Sequence, residues 1–573
     1  MDYSIKIGGE AGQGLQTIGS ALAKIFSRMG YHVFTHQDYM SRIRGGHNFY
    51  QIRLSEKEIS ASHDKIHILV ALNSETIDIH QQSVHDEGII FYDPEGEEKM
   101  RDGKQFLAIS FAEIAKDAGG KKIMANVVAI GAILGLFNFD LQAAEQVLKQ
   151  SLEKKDEEII AGNVKVLFAG HRYVRENCKR LDNFQAPAAE CDSLMLINGT
   201  QAIGAGALMS GVKFYSAYPM TPSTGIMVYL AGKAKEHGIV VEQAEDEICA
   251  INMALGASYA GVRAMTGTSG GGFALMTEGV SLAGITETPI VIAEMQRPGP
   301  ATGLPTRTEQ SDLNFVIHGG HGEFPRAVLT PGTPEQAFHA ANKAFDLAEK
   351  YQIPVFIQSD QYLGDSEWTF KKFDLETISY KDYRLRRKEL AELPEYRRYA
   401  LSDDGISPLA VPGQSHHLVV VDSDEHDENG HIIEDAETRI KMVDKRFSAK
   451  MKNLRQEISP PSWYGTNPAQ VVIIGYGSTY GIIKEAVDVL AADYSLAMLH
   501  FSEVYPFPLT DESDHTTLLR QAQTTLCVEN NAGGQFNRLM RAELGFTCSG
   551  RILRYDGRPF TLESLVEAIR QHL

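Results

Sequence analysis

The first stretch that could do chemistry is KFYSAYPMTPSTGIMVYL, residues 213–230. Two prolines flank Thr221, and Ser223 and Thr224 follow at a position where a helix could begin. Thr221 is a candidate N-cap, with Pro222 as an early helical residue. A rigid loop of this kind could present a threonine hydroxyl and backbone amides to a carboxylate. The simpler alternative is a capped helix that follows a strand.

A second candidate is the carboxylate of Glu247, which begins a predicted helix in EDEICAINMALGASYAG, residues 245–261. The small and apolar residues that follow it on this helix are Ala250, Met253, Ala254 and Ala257. Burial of its first turn would raise the pKa of Glu247, while the N-terminal end of the helix dipole would lower it. Glu247 could be catalytic, but an ordinary first-turn acid fits the same pattern. Other acids nearby are Glu242, Glu245 and Asp246.

Two arginines lie in QRPGPATGLPTRTEQSDL, residues 296–313, a run rich in glycine and proline. Such loops often place functional groups rather than bury them. The planar guanidinium of Arg307 could bind a carboxylate through two parallel hydrogen bonds, and Arg297 is the second candidate. A surface salt bridge is the alternative for either residue.

The chain opens on a glycine-rich loop, KIGGEAGQGLQTIG, residues 6–19, between a strand pattern and a helical one. Glycines let the backbone approach a ligand, and amides at a helix start can hold an anion. A dinucleotide fingerprint is incomplete, because Thr17 takes the third glycine position and Asp38 is a poor strand-end acid. The candidate anion-binding residues of this loop and the next, SRIRGGH, are Gly12, Gly14, Arg42, Arg44, Gly45 and Gly46. A tight strand–helix turn explains this pattern equally well.

Three regions of alternating strands and helices must position these residues, so the predicted fold class is α/β with three domains. Residues 1–184 predict a parallel sheet, and 123–137 predict a buried core helix. The predicted second domain is 192–370, after a linker at 185–192. Residues 371–465 read as an extended, surface-running linker, and 466–573 form the third α/β domain.

Composition excludes several classes of function. The chain has 573 residues and a net charge of −19, which argues against non-specific nucleic-acid binding but permits a local anion site. Its five cysteines form no CxxC pair, so we expect neither a zinc site nor an iron–sulfur cluster in this chain. We see no signal peptide and no membrane span, and sparse cysteines fit a reducing cytoplasm.

Together these motifs resemble the 2-oxoacid:ferredoxin oxidoreductases. YPMTPST, Glu247, TSGGGFALM and QRPGPATGLPTRTEQSDL resemble the pyrimidine-binding domain of that family. GGEAGQG and SRIRGGH resemble its gamma domain, and VVIIGYGSTYG, FSEVYPFP and VENNAGGQFNRLM resemble its transketolase-like C-terminal domain. The closest type is the alpha subunit of 2-oxoglutarate:ferredoxin oxidoreductase. Two departures are Gly271 in place of the common TSGPG proline, and Thr200-Gln201 in place of a common Asn-Glu pair.

The resemblance implies a thiamine diphosphate enzyme. In it, Glu247 would bond the aminopyrimidine ring and help to deprotonate the thiazolium carbon. The implied substrate-binding residues are Thr221, Arg307, Arg297 and Tyr218, and the implied cofactor-binding residues are Pro219, Glu247, Ser269 and Gly270. The glycine loop of the gamma domain would lie on the coenzyme A side.

The resemblance also implies partners. The chain lacks the GDG motif that holds the diphosphate through a metal, and it lacks cluster cysteines. A separate beta subunit should therefore carry the magnesium ion and the iron–sulfur cluster, in a heterotetramer of two alpha and two beta chains that reduces ferredoxin. The implied reaction converts 2-oxoglutarate and coenzyme A to succinyl-CoA and carbon dioxide, a tricarboxylic acid cycle step that can also run in reverse for carbon fixation. Pyruvate and branched-chain 2-oxoacids are alternative substrates. Alternatives of another class are a nicotinamide or flavin dehydrogenase and a noncatalytic nucleotide-binding, regulatory or scaffold subunit.

Overall fold

A computed structural model describes residues 1–40, 46–96, 101–181, 184, 186 and 194–573. It divides into two compact units. The first unit consists of Met1–Ile197, Ser366–Lys372 and Thr561–Ser564. The second consists of Asn198–Asp365, Phe373–Phe560 and Leu565–Leu573. The linker predicted at 185–192 lies outside the described residues except for position 186, and the predicted domain boundaries stay predictions.

In chain order, the strands of the described residues are β1 (Asp2–Glu10), β2 (His32–Asp38), β3 (His47–Ser55), β4 (Ile66–Ala71), β5 (Val84–Tyr92), β6 (Phe106–Ala108), β7 (Met195–Asn198), β8 (Phe214–Ala217), β9 (Val240–Gln243), β10 (Ala264–Thr268), β11 (Ile290–Gln296), β12 (Ala327–Leu329), β13 (Pro354–Asp360), β14 (Glu367–Phe370), β15 (Ser462–Gly465), β16 (Val471–Tyr476), β17 (Leu496–Phe501), β18 (Glu503–Tyr505), β19 (Thr524–Glu529) and β20 (Gly550–Leu553).

The α-helices of the same residues are α1 (Leu15–Arg28), α2 (Ser74–His80), α3 (Phe111–Asp117), α4 (Ala125–Leu136), α5 (Gln142–Ser151), α6 (Glu157–Asn177), α7 (Gly199–Met209), α8 (Thr224–His237), α9 (Glu247–Tyr259), α10 (Gly270–Ile285), α11 (Leu313–His318), α12 (Pro334–Tyr351), α13 (Gln361–Asp365), α14 (Arg387–Glu392), α15 (Ala436–Val443), α16 (Lys450–Glu457), α17 (Tyr480–Leu490), α18 (Asp514–Gln521), α19 (Gln535–Leu544) and α20 (Leu562–Arg570).

The first unit is built on a sheet with the strand order β6-β5-β4-β1-β3-β2-β14-β7. Strands β1, β4, β5 and β6 run parallel, as expected. The prediction of a parallel sheet is wrong for β3, which runs antiparallel to both β1 and β2. The connection between β2 and β3 covers only residues 39–46, which is too short for the crossover that a parallel pair needs.

The apolar run at 123–137 forms α4, and its residues Val127–Leu136 are buried, which confirms the predicted core helix. Helix α6 packs against α4 at very short range. A Cβ at Gly131 would lie 2.2 Å from the carbonyl oxygen of Leu167, and one at Gly170 would lie 2.3 Å from that of Val128. These two glycines let the helix backbones touch.

Within the described ranges, no single helix combines the length and the apolar composition needed to cross a membrane. One sharply bent pair, Phe111–Asp117 with Lys122–Leu136, reaches that length and composition only when both members are counted together.

The second unit holds two sheets. The larger has the order β18-β12-β13-β11-β10-β8-β9 and is parallel except for β18, and the smaller has the order β15-β17-β16-β19-β20 and is parallel except for β15. One hydrophobic core, which includes Ile251, Phe273, Tyr476 and Phe501, runs through both. With the sheet of the first unit, the described residues therefore form three α/β sheets, which confirms the predicted fold class.

The segment 371–465 is packed more closely than the surface-running connection that its composition predicts. Tyr399 and Lys450 are fully buried. The ammonium groups of Lys445 and Lys450 both bind the buried carboxylate of Glu287, and the Lys445 contact is 2.7 Å. Charged residues are usually exposed, so a charge-rich sequence predicts a surface, but paired charges can be buried.

Candidate functional site

Glu247 is the first residue of α9, as the sequence predicts. Asp246 caps this helix by accepting a hydrogen bond from the backbone N–H of Cys249 at 2.7 Å. Glu247 is 3% exposed, and its Oε1 atom has no hydrogen-bond partner among the described residues. Burial raises the pKa of Glu247, although its own backbone N–H and the charge of Arg297 oppose the increase. The site thus contains a buried carboxyl oriented for a ligand rather than for the protein.

The first turn of α10 forms one wall of this carboxyl pocket. A Cβ at Gly272 would lie 2.5 Å from Oε1 of Glu247 and 2.2 Å from Oγ1 of Thr268, so only glycine leaves room there. Ser269, the N-cap residue of α10, is fully buried, and no hydrogen-bond partner for its Oγ lies in the described part of the chain. Buried polar atoms without partners are rare in proteins, and Glu247 Oε1 at the start of α9 and Ser269 Oγ at the start of α10 are two of them.

The loop after β8 carries Thr221. The prediction that Thr221 caps the next helix is wrong, because α8 begins at Thr224 with Ser223 at the N-cap position. The reason is local: the Ser223 hydroxyl donates to the carbonyl oxygen of Met220 at 2.7 Å and closes the turn one residue before the helix. Thr221 is half-buried. Because the N-cap position is occupied by Ser223, the hydroxyl of Thr221 does not cap the helix.

Arg297 follows β11 and reaches this loop. Its Nη1 donates to the carbonyl oxygen of Thr221 at 2.8 Å. Burial lowers the pKa of Arg297, while the charges of Asp312 and Glu247 favour its protonated form. The structure therefore brings a guanidinium, a threonine and the Glu247 carboxyl together.

Arg307 lies in a different setting. It is 7% exposed, its backbone N–H donates to the carbonyl oxygen of Leu304 at 3.1 Å, and its stem lies beside Gly557. A Cβ at Gly557 would lie 3.3 Å from Cβ of Arg307. The described contacts associate Arg297 with Thr221 and Glu247.

The remaining predicted residues of this site lie on the same loops. Tyr218 is 40% exposed, and Pro219 is half-buried beside it. Gly270 begins α10, and a Cβ there would lie 2.3 Å from Oδ2 of Asp312. Asp312 was not among the residues predicted from the sequence. The sequence feature that could have identified it is its position in the same glycine- and proline-rich run as both arginines. Glu294 was also missed, and its signal is a single acid inside the apolar strand PIVIAEMQ.

Thr200 and Gln201, which depart from the family pattern, have structural contacts. Gln201 completes a capping box with Asn198 at the start of α7. Thr200 donates to the side chain of Asn198 at 3.0 Å and is 2% exposed. Both residues therefore stabilise the first turn of a helix.

In the first unit, Gly12 lines a cavity of about 760 Å³. The cavity lies where β1, β4 and β5 end, which is the usual ligand position in open α/β sheets. Asn73, Ser74 and Lys122 also line it, together with the acids Asp93 and Glu95, so it offers polar groups and charges of both signs.

The other described glycines of the predicted anion site, Gly14 and Gly46, are not among the residues that line this cavity. Gly14 is the N-cap of α1 with φ 81°, and Gly46 has φ 121°. A Cβ at Gly14 would lie 1.9 Å from Nδ2 of Asn126. Arg42, Arg44 and Gly45 lie outside the described residues.

The residues of the second unit fit one end of the predicted thiamine diphosphate. Aminopyrimidine rings carry nitrogen atoms that exchange protons with a carboxyl group, and Glu247 Oε1 is a buried carboxyl oxygen without a partner in the described residues. Burial raises the pKa of Glu247, which favours its protonated form relative to an exposed glutamate. Ser269 supplies a second polar atom in the same wall.

Two family models match the chain. Residues 205–445 match the model described as pyruvate flavodoxin/ferredoxin oxidoreductase, thiamine diP-bdg. Residues 4–173 match the model described as pyruvate ferredoxin/flavodoxin oxidoreductase.

Similar proteins give the same assignment. The alpha subunit of 2-oxoacid:ferredoxin oxidoreductase from a Sulfolobus species is 32% identical, across 99% of this chain and 96% of that protein. The 2-oxoglutarate synthase subunit KorA of Methanothermobacter thermautotrophicus is 33% identical, across 61% of this chain and 91% of its own. The solved 2-oxoglutarate:ferredoxin oxidoreductase from Magnetococcus marinus, with 2-oxoglutarate, coenzyme A and succinyl-CoA bound, has a TM-score of 0.90 and 31% identity, across 100% of this chain and 99% of that one. The chain therefore belongs to the 2-oxoacid:ferredoxin oxidoreductases, as the alpha subunit of a heteromeric, thiamine diphosphate-dependent enzyme.

Proposed function

We propose that this chain, assembled with a beta subunit, acts on 2-oxoglutarate and yields succinyl-CoA, carbon dioxide and reduced ferredoxin. The observation that carries the proposal is the grouping of the buried Glu247 carboxyl, Thr221 and Arg297 in one site. The choice of 2-oxoglutarate is supported by the similarity to the Magnetococcus marinus enzyme along the full chain and by the similarity to 2-oxoglutarate synthase subunits.

Glu247 would share a proton with the aminopyrimidine ring. Its raised pKa and unpartnered Oε1 support this role. Thiamine diphosphate, when bound, supplies the carbanion chemistry that decarboxylation needs. The chain's contribution is to hold one proton at one atom and to keep water away from it, since only 3% of Glu247 is exposed.

Arg297 would bind the substrate carboxylate together with the hydroxyl of Thr221. One guanidinium nitrogen is committed to the Thr221 carbonyl, which orients the group. A guanidinium has five N–H donors, so enough remain for a bidentate contact with a carboxylate. Arg307, which the sequence favours first, remains the alternative.

Coenzyme A would enter through the cavity of the first unit. Gly12 lets the backbone come close there, and Lys122 supplies a cation for phosphate. The magnesium ion, the iron–sulfur cluster and the site for the diphosphate would belong to the beta subunit. The assembly would be a cytoplasmic heterotetramer of two alpha and two beta chains.

Pyruvate and branched-chain 2-oxoacids remain alternative substrates, and the reaction can serve either oxidation or carbon fixation. The noncatalytic alternative is disfavoured by the unpartnered buried atoms Glu247 Oε1 and Ser269 Oγ at the starts of α9 and α10, because a scaffold has no need for them.

The test uses the reconstituted complex. We expect Glu247→Gln to reduce turnover of 2-oxoglutarate by roughly 10²–10⁴-fold, because the amide keeps the shape but cannot share the proton. The matched control is Glu245→Gln, which changes an exposed acid two residues away and should leave turnover intact. A kcat/KM higher for pyruvate or for 2-oxoisovalerate than for 2-oxoglutarate would contradict the proposed substrate. Normal turnover in Glu247→Gln would contradict the proposed site.

A further inference from the structure

A groove with a volume of about 800 Å³ lies in the second unit, beside the start of α9. It contains none of the residues of the proposed substrate site, although Ile248, which lines it, directly follows Glu247. Its walls are α9, α10, the loop at 321–324, the segment 423–425 and the side chains of Arg439 and Arg446. All of these residues belong to the second unit.

Helices α9 and α10 have the composition of buried helices, yet each exposes one face. Glu247 is the single charged residue of α9, and Glu278 is the single charged residue of α10. A helix that is apolar all round is usually buried all round. Here, however, Ile248 is 46% exposed and Leu275 is 48% exposed. Exposed apolar surface of this kind indicates a partner that covers it.

The apolar part of the groove comes mostly from α10. Leu275, Leu282 and Ile285 lie on this helix, and Phe324 comes from the loop beside it. A Cβ at Gly284 would lie 2.5 Å from Cγ of Phe324, so the aromatic ring packs directly against the helix. The groove therefore offers a continuous helix surface to aliphatic side chains.

The charged part of the groove carries an excess of negative charge. Four carboxylates line it, those of Glu278, Glu323, Asp424 and Glu425, against the two guanidinium groups of Arg439 and Arg446. Both arginines bind Glu425: Arg446 donates to its two carboxylate oxygens at 3.1 and 2.9 Å, and Arg439 forms a further ion pair with it. Within the described ranges, the other three acids form no ion pair. The groove is therefore suited to positive groups.

The wall at 423–425 is held in place by the chain that follows it. The backbone N–H of Ile433 donates to the carbonyl oxygen of Glu425 at 2.9 Å. His426 is fully buried, and the centroid of its ring lies 3.9 Å from that of Tyr399. Arg446 is only 3% exposed. A wall that is already ordered lowers the entropic cost of binding a partner.

We propose that this groove is a docking site for the beta subunit, and that it takes a segment in which lysine or arginine residues flank aliphatic ones. The aliphatic side chains cover Ile248 and Leu275. The basic groups face the acids at 278, 323 and 424. An apolar centre with a charged rim is the usual arrangement in a specific protein interface.

The beta subunit is the occupant because the start of α9 carries both Glu247 and the edge of the groove. In the proposed function, this chain contacts the aminopyrimidine end of the cofactor, so the subunit that holds the diphosphate must approach the same end of α9. That approach also brings it to Ile248. The inference rests on the proposed assembly with a beta subunit, but not on the identity of the 2-oxoacid or on the role of Arg297.

The test measures binding of the full chain to its beta subunit by surface plasmon resonance, without substrate. We expect Leu275→Asp to raise Kd by about thirtyfold, the scale of an interface hot spot, mainly through faster dissociation. Glu278→Lys combined with Glu323→Lys should raise Kd by about tenfold at low ionic strength, mainly through slower association. The effect of the two lysines should become much smaller at high ionic strength, because salt screens exposed charges.

The matched control combines Glu376→Lys with Glu512→Lys, which replace two exposed acids of the second unit outside the groove. The control changes the net charge by the same amount and should change Kd by less than about twofold, because distant exposed charges are screened. Thermal unfolding of each free variant checks its fold, and Ile248→Asp replaces Leu275→Asp if the latter does not fold. Hydroxyl-radical footprinting of the wild type should show that Ile248 and Leu275 become protected in the complex.

The outcomes separate this inference from the proposed function. If the wild-type chain does not bind the beta subunit, the proposed assembly fails, and the docking site fails with it. If it binds while Leu275 stays unprotected, or while Leu275→Asp leaves Kd unchanged, the groove is not the docking site and the proposed function stands. Equal losses in the groove pair and the control pair would assign the effect to net charge. Tighter binding by the groove pair would show that the partner segment is acidic, which would overturn its proposed chemistry.

Discussion

The carboxyl group of Glu247 rests against the backbone of Gly272, with only 2.5 Å between Oε1 and the place where a Cβ would lie. Gly272 is not in the left-handed region, so its backbone would accept other residues. The requirement for glycine comes from the neighbouring carboxyl group. The small size of residue 272 is therefore a condition for the position of the Glu247 carboxyl group.

We expect Gly272→Ala to lower turnover by about 10²-fold, because the methyl group displaces the Glu247 carboxyl from its productive position. Overpacking should cost roughly 1–3 kcal/mol of folding free energy. Steady-state kinetics and thermal unfolding of the complex measure the two effects. The control is Gly271→Ala, whose Cβ would have its nearest contact at 3.6 Å, from the Ala301 carbonyl. Equal losses of turnover in both variants would show that the first turn of α10 tolerates no methyl group. The loss in Gly272→Ala would then not be due to displacement of the Glu247 carboxyl group.

The two arginines should separate in their effects on substrate binding. We expect Arg297→Ala to raise KM for 2-oxoglutarate by the equivalent of roughly 1.5–3 kcal/mol, the scale of a lost charge-assisted hydrogen bond. The KM of Arg297→Lys should lie between those of the wild type and Arg297→Ala, because lysine keeps the charge but loses the planar, forked arrangement of donors. Arg307→Lys and Arg307→Ala are the matched comparison in the same sequence run. If KM rises with the Arg307 variants alone, the carboxylate contact belongs to Arg307.

The pH dependence of stability should show the contacts of His63 within the first unit. His63 hydrogen-bonds to Glu563 at 2.9 Å and lies 3.7 Å from Asp2. Burial opposes its charge, but the hydrogen bonds to Asp2 and Glu563 prevail and raise the pKa of His63 to about 9. A raised folded-state pKa means that the stabilisation is complete below the unfolded value near 6.5 and disappears as pH rises through about 9.

We therefore expect His63→Gln to cost roughly 1–2 kcal/mol at pH 6, after allowance for the partial exposure of Glu563, and to cost little at pH 10. Chemical denaturation at the two pH values measures the difference. A cost that is independent of pH would show that the side chain acts through packing and not through its charge.

The buried ion cluster of the second unit should be costly to break. Glu287→Gln leaves Lys445 and Lys450 without their shared carboxylate, and both lysines are buried. We expect a loss of roughly 3–5 kcal/mol in the free energy of unfolding. The control is Glu437→Gln, which breaks the exposed Glu437–Lys441 pair and should leave the free energy of unfolding almost unchanged. Similar small losses in both would mean that the lysines lose their protons when the carboxylate is removed.

The sequence predicts elements well where one local pattern controls them. Helices α1, α4 and α9 lie where apolar periodicity and helix-start residues place them. Strand β3 was missed although its sequence carries a strand pattern, since apolar residues at 50, 52 and 54 alternate with polar residues at 51, 53 and 55. Its antiparallel direction could not be predicted without knowing that β3 exists.

For the candidate site, local patterns identify Glu247 and the loop around Thr221 but cannot rank the two arginines. Arg297 and Arg307 lie in the same kind of loop, and only their neighbours in the folded chain distinguish them. Asp312 and Gly270 come from separate elements and meet where the carboxylate of Asp312 lies against the start of α10. Such contacts depend on the tertiary structure, which composition and spacing do not describe.

Strand β18 belongs to the C-terminal part of the chain, yet it pairs with β12 and completes the edge of the larger sheet of the second unit. The smaller sheet cannot separate from the larger one without breaking that ladder and exposing their common core. The two sheets should therefore melt in a single cooperative transition, as one foldon. A fragment that ends before β15 would leave β12 as an unprotected sheet edge and would be prone to aggregate.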